Sequence, residues 1–86
     1  MPLISWFLGI SIKMFWDDHA PPHFHVVYQE YKAAIALDTL TVISGALPGR
    51  ILGLVVEWAM QHRDELKENW NLCATLQTPH KIPPLV

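Results

Sequence analysis

Between Asp17 and Val26 the chain reads DDHAPPHFHV, with two carboxylates, three imidazoles and two adjacent prolines in ten residues. Side chains two apart on a strand point to the same side. His23 and His25 would therefore present their imidazoles together, about 7 Å apart along the strand. His19 precedes the prolines, and a turn there can bring it back towards the pair. With Asp17 or Asp18 added, two or three imidazoles and a carboxylate make a ligand set for a divalent metal such as zinc, iron, manganese or nickel. The metal candidates are Asp18, His19, His23 and His25.

A second chemistry needs no metal. Two histidines on one face can pass a proton in each direction. Lys32, on the following strand, could stabilise a developing anion. The catalytic candidates are then His23, His25 and Lys32, a trio suited to RNA cleavage through the 2′-hydroxyl. The third reading is structural: carboxylates that accept backbone N–H groups in a turn, prolines that aim a strand, and histidines hydrogen-bonded across it. H-x-H is a short motif, and it leaves all three open.

The elements that must position these groups follow from periodicity. Ile10 to Trp16 alternates, with Ile10, Ile12, Met14 and Trp16 on one face, which predicts a half-buried strand. Pro21 and Pro22 stop it, since neither can donate to a ladder. His23 to Tyr28 predicts a second strand, with Phe24, Val26 and Tyr28 on the face opposite His23 and His25. Tyr31 to Leu37 predicts a third, with Tyr31, Ala33, Ile35 and Leu37 inward. Gln29–Glu30 lacks the Gly or Asn of a tight turn, so strain or a longer loop is expected. Asp38–Thr39 turns the chain into a fourth strand, Leu40 to Ser44.

Pro48 suits the first position of a helix. From there Ile51, Val55, Trp58, His62, Leu66, Trp70 and Cys73 recur at spacings of three and four, one helix face sustained for more than twenty residues. One long helix is favoured, kinked if anything; the alternative is two helices meeting near Gln61–Asp64. His62 falls on the apolar stripe, as a core or rim residue or as a fourth imidazole delivered to the His23/His25 face. Cys73 reads as a small buried hydrophobe, and His80 has no assigned role. The tail 78–86, punctuated by Pro79, Pro83 and Pro84, should be extended. The expected architecture is α+β: an antiparallel meander of three to four strands with a long C-terminal helix packed on one face, all in a single domain over residues 1–86.

Composition narrows the function classes. The 86 residues are 51% hydrophobic and only 16% charged, with a net charge of −2. A small domain with so little charge and four tryptophans should leave apolar surface uncovered, which points to a dimer or a protein partner. Lys and Arg are scattered, so no basic block argues for nucleic acid. The lone Cys73 excludes an internal disulfide and fits a reducing compartment. Leu3 to Ile12 is apolar but lacks the flanks of an export signal, and Glu57 interrupts Ile51–Val56 too early for a membrane span. A soluble cytoplasmic protein is expected.

The segments MPLISWFLGISIKMFWDDHAPPHFHV, EYKAAIALDTL and LPGRILGLVVEWAMQHRDELKENW resemble a family of small bacterial proteins, domain of unknown function 4160, along nearly the whole chain, from Met1 to about Leu85. The D-H-x-P-P-H-F-H segment is the most specific element; Glu57–Trp58–His62 and Asn69–Trp70 agree in order and spacing. The resemblance highlights Asp18, His19, Pro21, Pro22, His23, Phe24 and His25, with Tyr31–Lys32 on the next strand. Trp6 departs from it, standing where a basic residue is expected after Ile-Ser. Members are often encoded beside another very small protein, which implies a partner and a toxin–antitoxin-like arrangement. The leading expectation is a cytoplasmic component of such a pair, acting through protein contact, with the His/Asp segment as its polar site. A metal-dependent or histidine-based hydrolase or nuclease is the alternative. A DNA-binding regulator comes last, since no helix-turn-helix spacing or basic helix supports it.

Overall fold

The computed structural model describes residues 2–86. Five strands, β1 (Leu3–Phe7), β2 (Ile10–Lys13), β3 (His23–Tyr28), β4 (Tyr31–Ala36) and β5 (Val42–Gly45), precede two helices, α1 (Gly49–Gln61) and α2 (Arg63–Ala74). The strands form one antiparallel sheet in chain order, each paired with the next. The α+β meander is as expected, but it has five strands rather than three to four, and two helices rather than one.

The extra strand is β1. A register irregularity between Leu3 and Ser5 buries Ile4 and Ser5 in succession and then Phe7, so the alternation that marks a half-buried strand is broken. The link to β2 is a turn at Leu8–Gly9, both at positive φ (52° and 79°), the conformation that matches the twist of a tight hairpin. Gln29, in the turn after β3, is also left-handed at 52°, the local strain expected of Gln29–Glu30. β2 stops at Lys13. Trp16, expected on the core face, is 45% exposed, and its indole N–H donates to the Gln77 carbonyl. Tyr31, expected inward, is exposed as well. Leu40 lies outside β5: it turns at a φ of 56° and donates its N–H to Ala36.

The helix breaks at His62, which leaves helical geometry (φ −131°, ψ 28°) while its carbonyl accepts the N–H of Leu66. A one-residue break barely rotates the apolar stripe. Ile51, Val55 and Trp58 of α1 and Leu66 and Cys73 of α2 remain buried. Asp64 and Glu65 stand in the first turn of α2, where carboxylates favour a helix N-terminus.

Both helices cover the sheet face that carries Ile10, Ile12, Phe24, Val26 and Ile35. Trp58 is the centre of this core, with its ring 5.8 Å from that of Phe7 and 6.1 Å from that of Phe24. Its indole N–H, which would otherwise be buried without a partner, donates to the Pro83 carbonyl at 2.9 Å. Residues 78–86 form neither helix nor strand, yet they are tied down. Asn69 makes two 2.8 Å hydrogen bonds with the backbone of His80, and the Ile82 N–H donates to Ile4.

The opposite sheet face is open except at its His23 end, where Trp70 of α2 packs on the His23 ring. Register places two rows of side chains there: Trp6, Ser11, Val27 and Lys32, then Lys13, His25, Ala34 and Ser44. At the end of the second row Gly45 has a φ of 75°, and a Cβ on it would lie 2.1 Å from the Lys32 carbonyl oxygen. Only glycine lets the backbone approach so closely there. Among the described residues no helix is long and apolar enough to cross a membrane.

Candidate functional site

The segment between β2 and β3 folds back over the start of β3 because both of its ends are held. On leaving the sheet, Asp17 takes a φ of 54° and donates its N–H to the Cys73 carbonyl at the end of α2. Pro21 and Pro22 then lead into β3; the Ala20–Pro21 bond is cis. Between these anchors the Asp18 carboxylate is laid across the imidazoles of His23 and His25.

Asp18 Oδ2 lies 3.0 Å from His23 Nε2 and 2.9 Å from His25 Nε2. One ligand atom from each of Asp18, His23 and His25 falls within 4.8 Å of the others. The edge-on packing of the two rings, with centroids 4.9 Å apart, follows from their i, i+2 spacing on β3. His23 is buried at 3% exposure, with the Trp70 ring of α2 at 5.3 Å. His25 is more open, packed against the tilted Phe15 ring with centroids 4.2 Å apart.

The second nitrogen of His23 decides what the first can do. Nδ1 lies 2.6 Å from the Pro21 carbonyl oxygen, so the proton on Nδ1 is donated there. A neutral ring then presents the Nε2 lone pair towards Asp18 and His25, the orientation that a backbone carbonyl imposes on metal-binding histidines. Without a cation, Nε2 faces a carboxylate, and both nitrogens are satisfied only if the ring carries two protons.

Asp18 responds to the same environment. Burial alone would push its carboxyl up. The His25 hydrogen bond, the His19 N–H and the charges of His23 and His25 outweigh that and hold it below the ordinary value. Its second oxygen, Oδ1, receives the His19 N–H at 2.9 Å and lies 3.1 Å from His19 Nδ1.

Of the four metal candidates, three converge. His19 stands apart from the set, with its side chain 88% exposed; it orients the carboxylate from the solvent side. The proposed catalytic trio is also divided. His25 and Lys32 border one hollow on the uncovered sheet face, whereas His23 is sealed beneath Trp70. His62 remains between the helices, bonded to Glu65 and packed on Trp58, and contributes nothing to the cluster. Phe15, Pro21 and Trp70 support the site. The family resemblance picks out Pro21 and Trp70 without giving either a role here, and Phe15 is not singled out; Trp70 comes into contact only through tertiary packing.

The family described as Domain of unknown function (DUF4160) has a model that matches residues 9–71. The match takes in the His/Asp cluster, Lys32 and Trp70, and leaves out β1 and the tail. No curated protein and no solved structure matches the chain.

Proposed function

The chain belongs to the DUF4160 family, and we propose that it is a hydrolase whose Asp18, His23 and His25 hold a divalent cation. One observation carries this: two imidazole Nε2 atoms and a carboxylate oxygen converge, with the buried imidazole oriented by the Pro21 carbonyl. The carboxylate oxygen lies about 3 Å from each imidazole nitrogen, a separation that suits neighbouring ligands in a shell with bonds of about 2.0–2.2 Å. Such a cation supplies a polarised water as nucleophile and a Lewis acid for an ester oxygen. His23, beneath Trp70, acts as a fixed ligand. His25, on the side of the hollow, brings the centre to the surface. Lys32 and Lys13 border that hollow and would hold an anionic substrate beside it.

The test is hydrolysis of a small phosphodiester, bis(p-nitrophenyl) phosphate, by protein loaded with zinc, manganese or nickel. Turnover that needs the metal and disappears in His25→Ala and Asp18→Asn supports the reading. Turnover unchanged in both variants, or none with any metal, removes it.

A second reading, one component of a toxin–antitoxin-like pair in a reducing cytoplasm, is favoured by exposed apolar side chains, among them Trp6, Leu8 and Met60. It predicts that the protein co-purifies with the small protein encoded beside it and that the two together alter growth differently from either alone. Separate elution with no growth effect in any combination would end it.

A further inference from the structure

The net charge of −2 conceals a polarised surface. Seven of the eight carboxylates lie outside the strands: Asp17, Glu30 and Asp38 in turns or links, and Glu57, Asp64, Glu65 and Glu68 on the helices. The eighth, Asp18, is at the rim and already faces two imidazoles. The strand positions that point outward on this face carry no acid. They carry Lys13, Lys32 and His25.

Between these cations lies a hollow of about 430 Å³, bordered by Phe15 and Ser44 and floored by Ala34. That volume falls within the range of about 300–1,000 Å³ typical of small-molecule sites. Alanine at position 34 and glycine at position 45 keep the floor low. Trp6 shares the row of Lys32, lies on the strand next to that of Lys13, and is 60% exposed. A large aromatic ring so open has no folding role on that face.

Aromatic faces interleaved with cations on an open sheet suit unpaired bases joined by phosphates. Each base stacks whatever its identity, and the lysines neutralise the backbone. Lys13 on β2 and Lys32 on β4 are two strands and one row apart, about 12 Å from strand spacing and rise. That is too far for one phosphate and suits a chain that crosses the strands. A base-paired duplex could not offer its ring faces to Trp6 or fill the hollow.

We infer that the uncovered sheet face binds single-stranded nucleic acid, with one base in the hollow beside Phe15, the backbone against Lys13 and Lys32, and a further base on Trp6. The inference deepens the hydrolase reading by naming its substrate class, and it rests on that reading only for what becomes of the bound strand. His25, shared by the hollow and the metal cluster, would bring a phosphodiester to the cation.

The test is fluorescence anisotropy of a labelled 12-nucleotide oligouridylate with the protein in EDTA, so that binding is read without any metal. Single-strand binding loses a log–log salt slope of about 0.7 per phosphate contact. With two lysines engaged, affinity should fall about sevenfold between 50 and 200 mM salt. In Lys13→Ala or Lys32→Ala the same salt step should cost only about 2.6-fold. Trp6→Ala should weaken binding and remove the tryptophan quenching that accompanies it. Circular dichroism checks that these surface variants fold. No saturable binding at 50 mM salt, a salt slope unchanged in the lysine variants, or equal binding of a duplex of the same length would overturn the inference. Because EDTA is present, binding with no metal affinity would uphold this surface and sink the hydrolase reading; metal-dependent turnover of the small ester with no strand binding would do the reverse.

Discussion

Replacing His25 by Ala separates a metal ligand from a merely structural histidine. His25 is the better residue to change, because His23 is buried and its removal would leave a void beneath Trp70. In the metal-free protein the substitution loses a hydrogen bond to the Asp18 carboxylate at 2.9 Å, worth about 1.5–3 kcal/mol. It also loses the packing against Phe15, worth about 0.5–1.5 kcal/mol. The packing loss is present with or without metal and cancels when the metal-induced shift is compared between variants; the hydrogen bond gives way to the cation on the same Nε2, so its loss enters through the apparent Kd of each protein. A ligand at 100 times its Kd stabilises a fold by about 2.7 kcal/mol. For a domain of this size that is a rise in Tm of about 11–22 °C, at about 4–8 °C per kcal/mol. Loss of one ligand of three should weaken binding at least a hundredfold, the upper end of what outer-shell changes cost. At the same metal concentration the stabilisation then falls to about 0.4 kcal/mol, a shift of about 2–3 °C. The assay is thermal unfolding followed by circular dichroism, with and without zinc, for both proteins. An equal zinc shift in wild type and His25→Ala, or no shift in wild type, would refute the reasoning.

Three further outcomes follow from the geometry. Gly45→Ala should destabilise by at least about 2 kcal/mol, since it puts a Cβ against the Lys32 carbonyl at positive φ. Gly53→Ala, with nothing within 4 Å of the new Cβ, should instead stabilise α1 by about 0.5–1 kcal/mol; urea midpoints of the two variants must move in opposite directions. In EDTA, the depressed carboxyl of Asp18 contributes stability that is present above the ordinary carboxylate value of about 3.9 and is lost as pH falls through the lower folded value. Acid titration of Asp18→Asn should therefore lack that component, and an acid limb identical to wild type would exclude it. Burial pushes the Cys73 thiol up, so a thiol reagent at neutral pH should label it only after unfolding; rapid labelling of the folded protein would contradict its burial.

Much of this fold is written in local patterns. The strict alternation of His23–Tyr28 and the three-and-four spacing from Ile51 to Cys73 survive as β3 and as a continuous buried stripe. What escaped was set by departures from period. β1 buries successive residues at its irregularity, so Ile4 and Phe7 never show an alternating signal. The break at His62 costs only one residue and leaves the stripe in phase; the acidic pair Asp64–Glu65 was its one local sign. The pairing of His23 with His25 was legible because it needs only strand geometry. That Asp18 rather than Asp17 faces them, and that His19 does not, depends on the direction of a turn anchored to Cys73 fifty-six residues away. Trp70 over His23 is likewise a product of packing. Trp16 looked like a core residue by alternation, but β2 had ended three positions earlier.

The claim that Asp18, His23 and His25 form a cation site is tested most directly by X-ray absorption at the zinc edge on protein saturated with zinc and freed of excess. One zinc per chain is expected, with two imidazole nitrogens at about 2.0–2.1 Å and carboxylate oxygen in the same shell, the imidazole signal falling by half in His25→Ala. Zinc that fails to stay bound, or that is bound without imidazole, would contradict it.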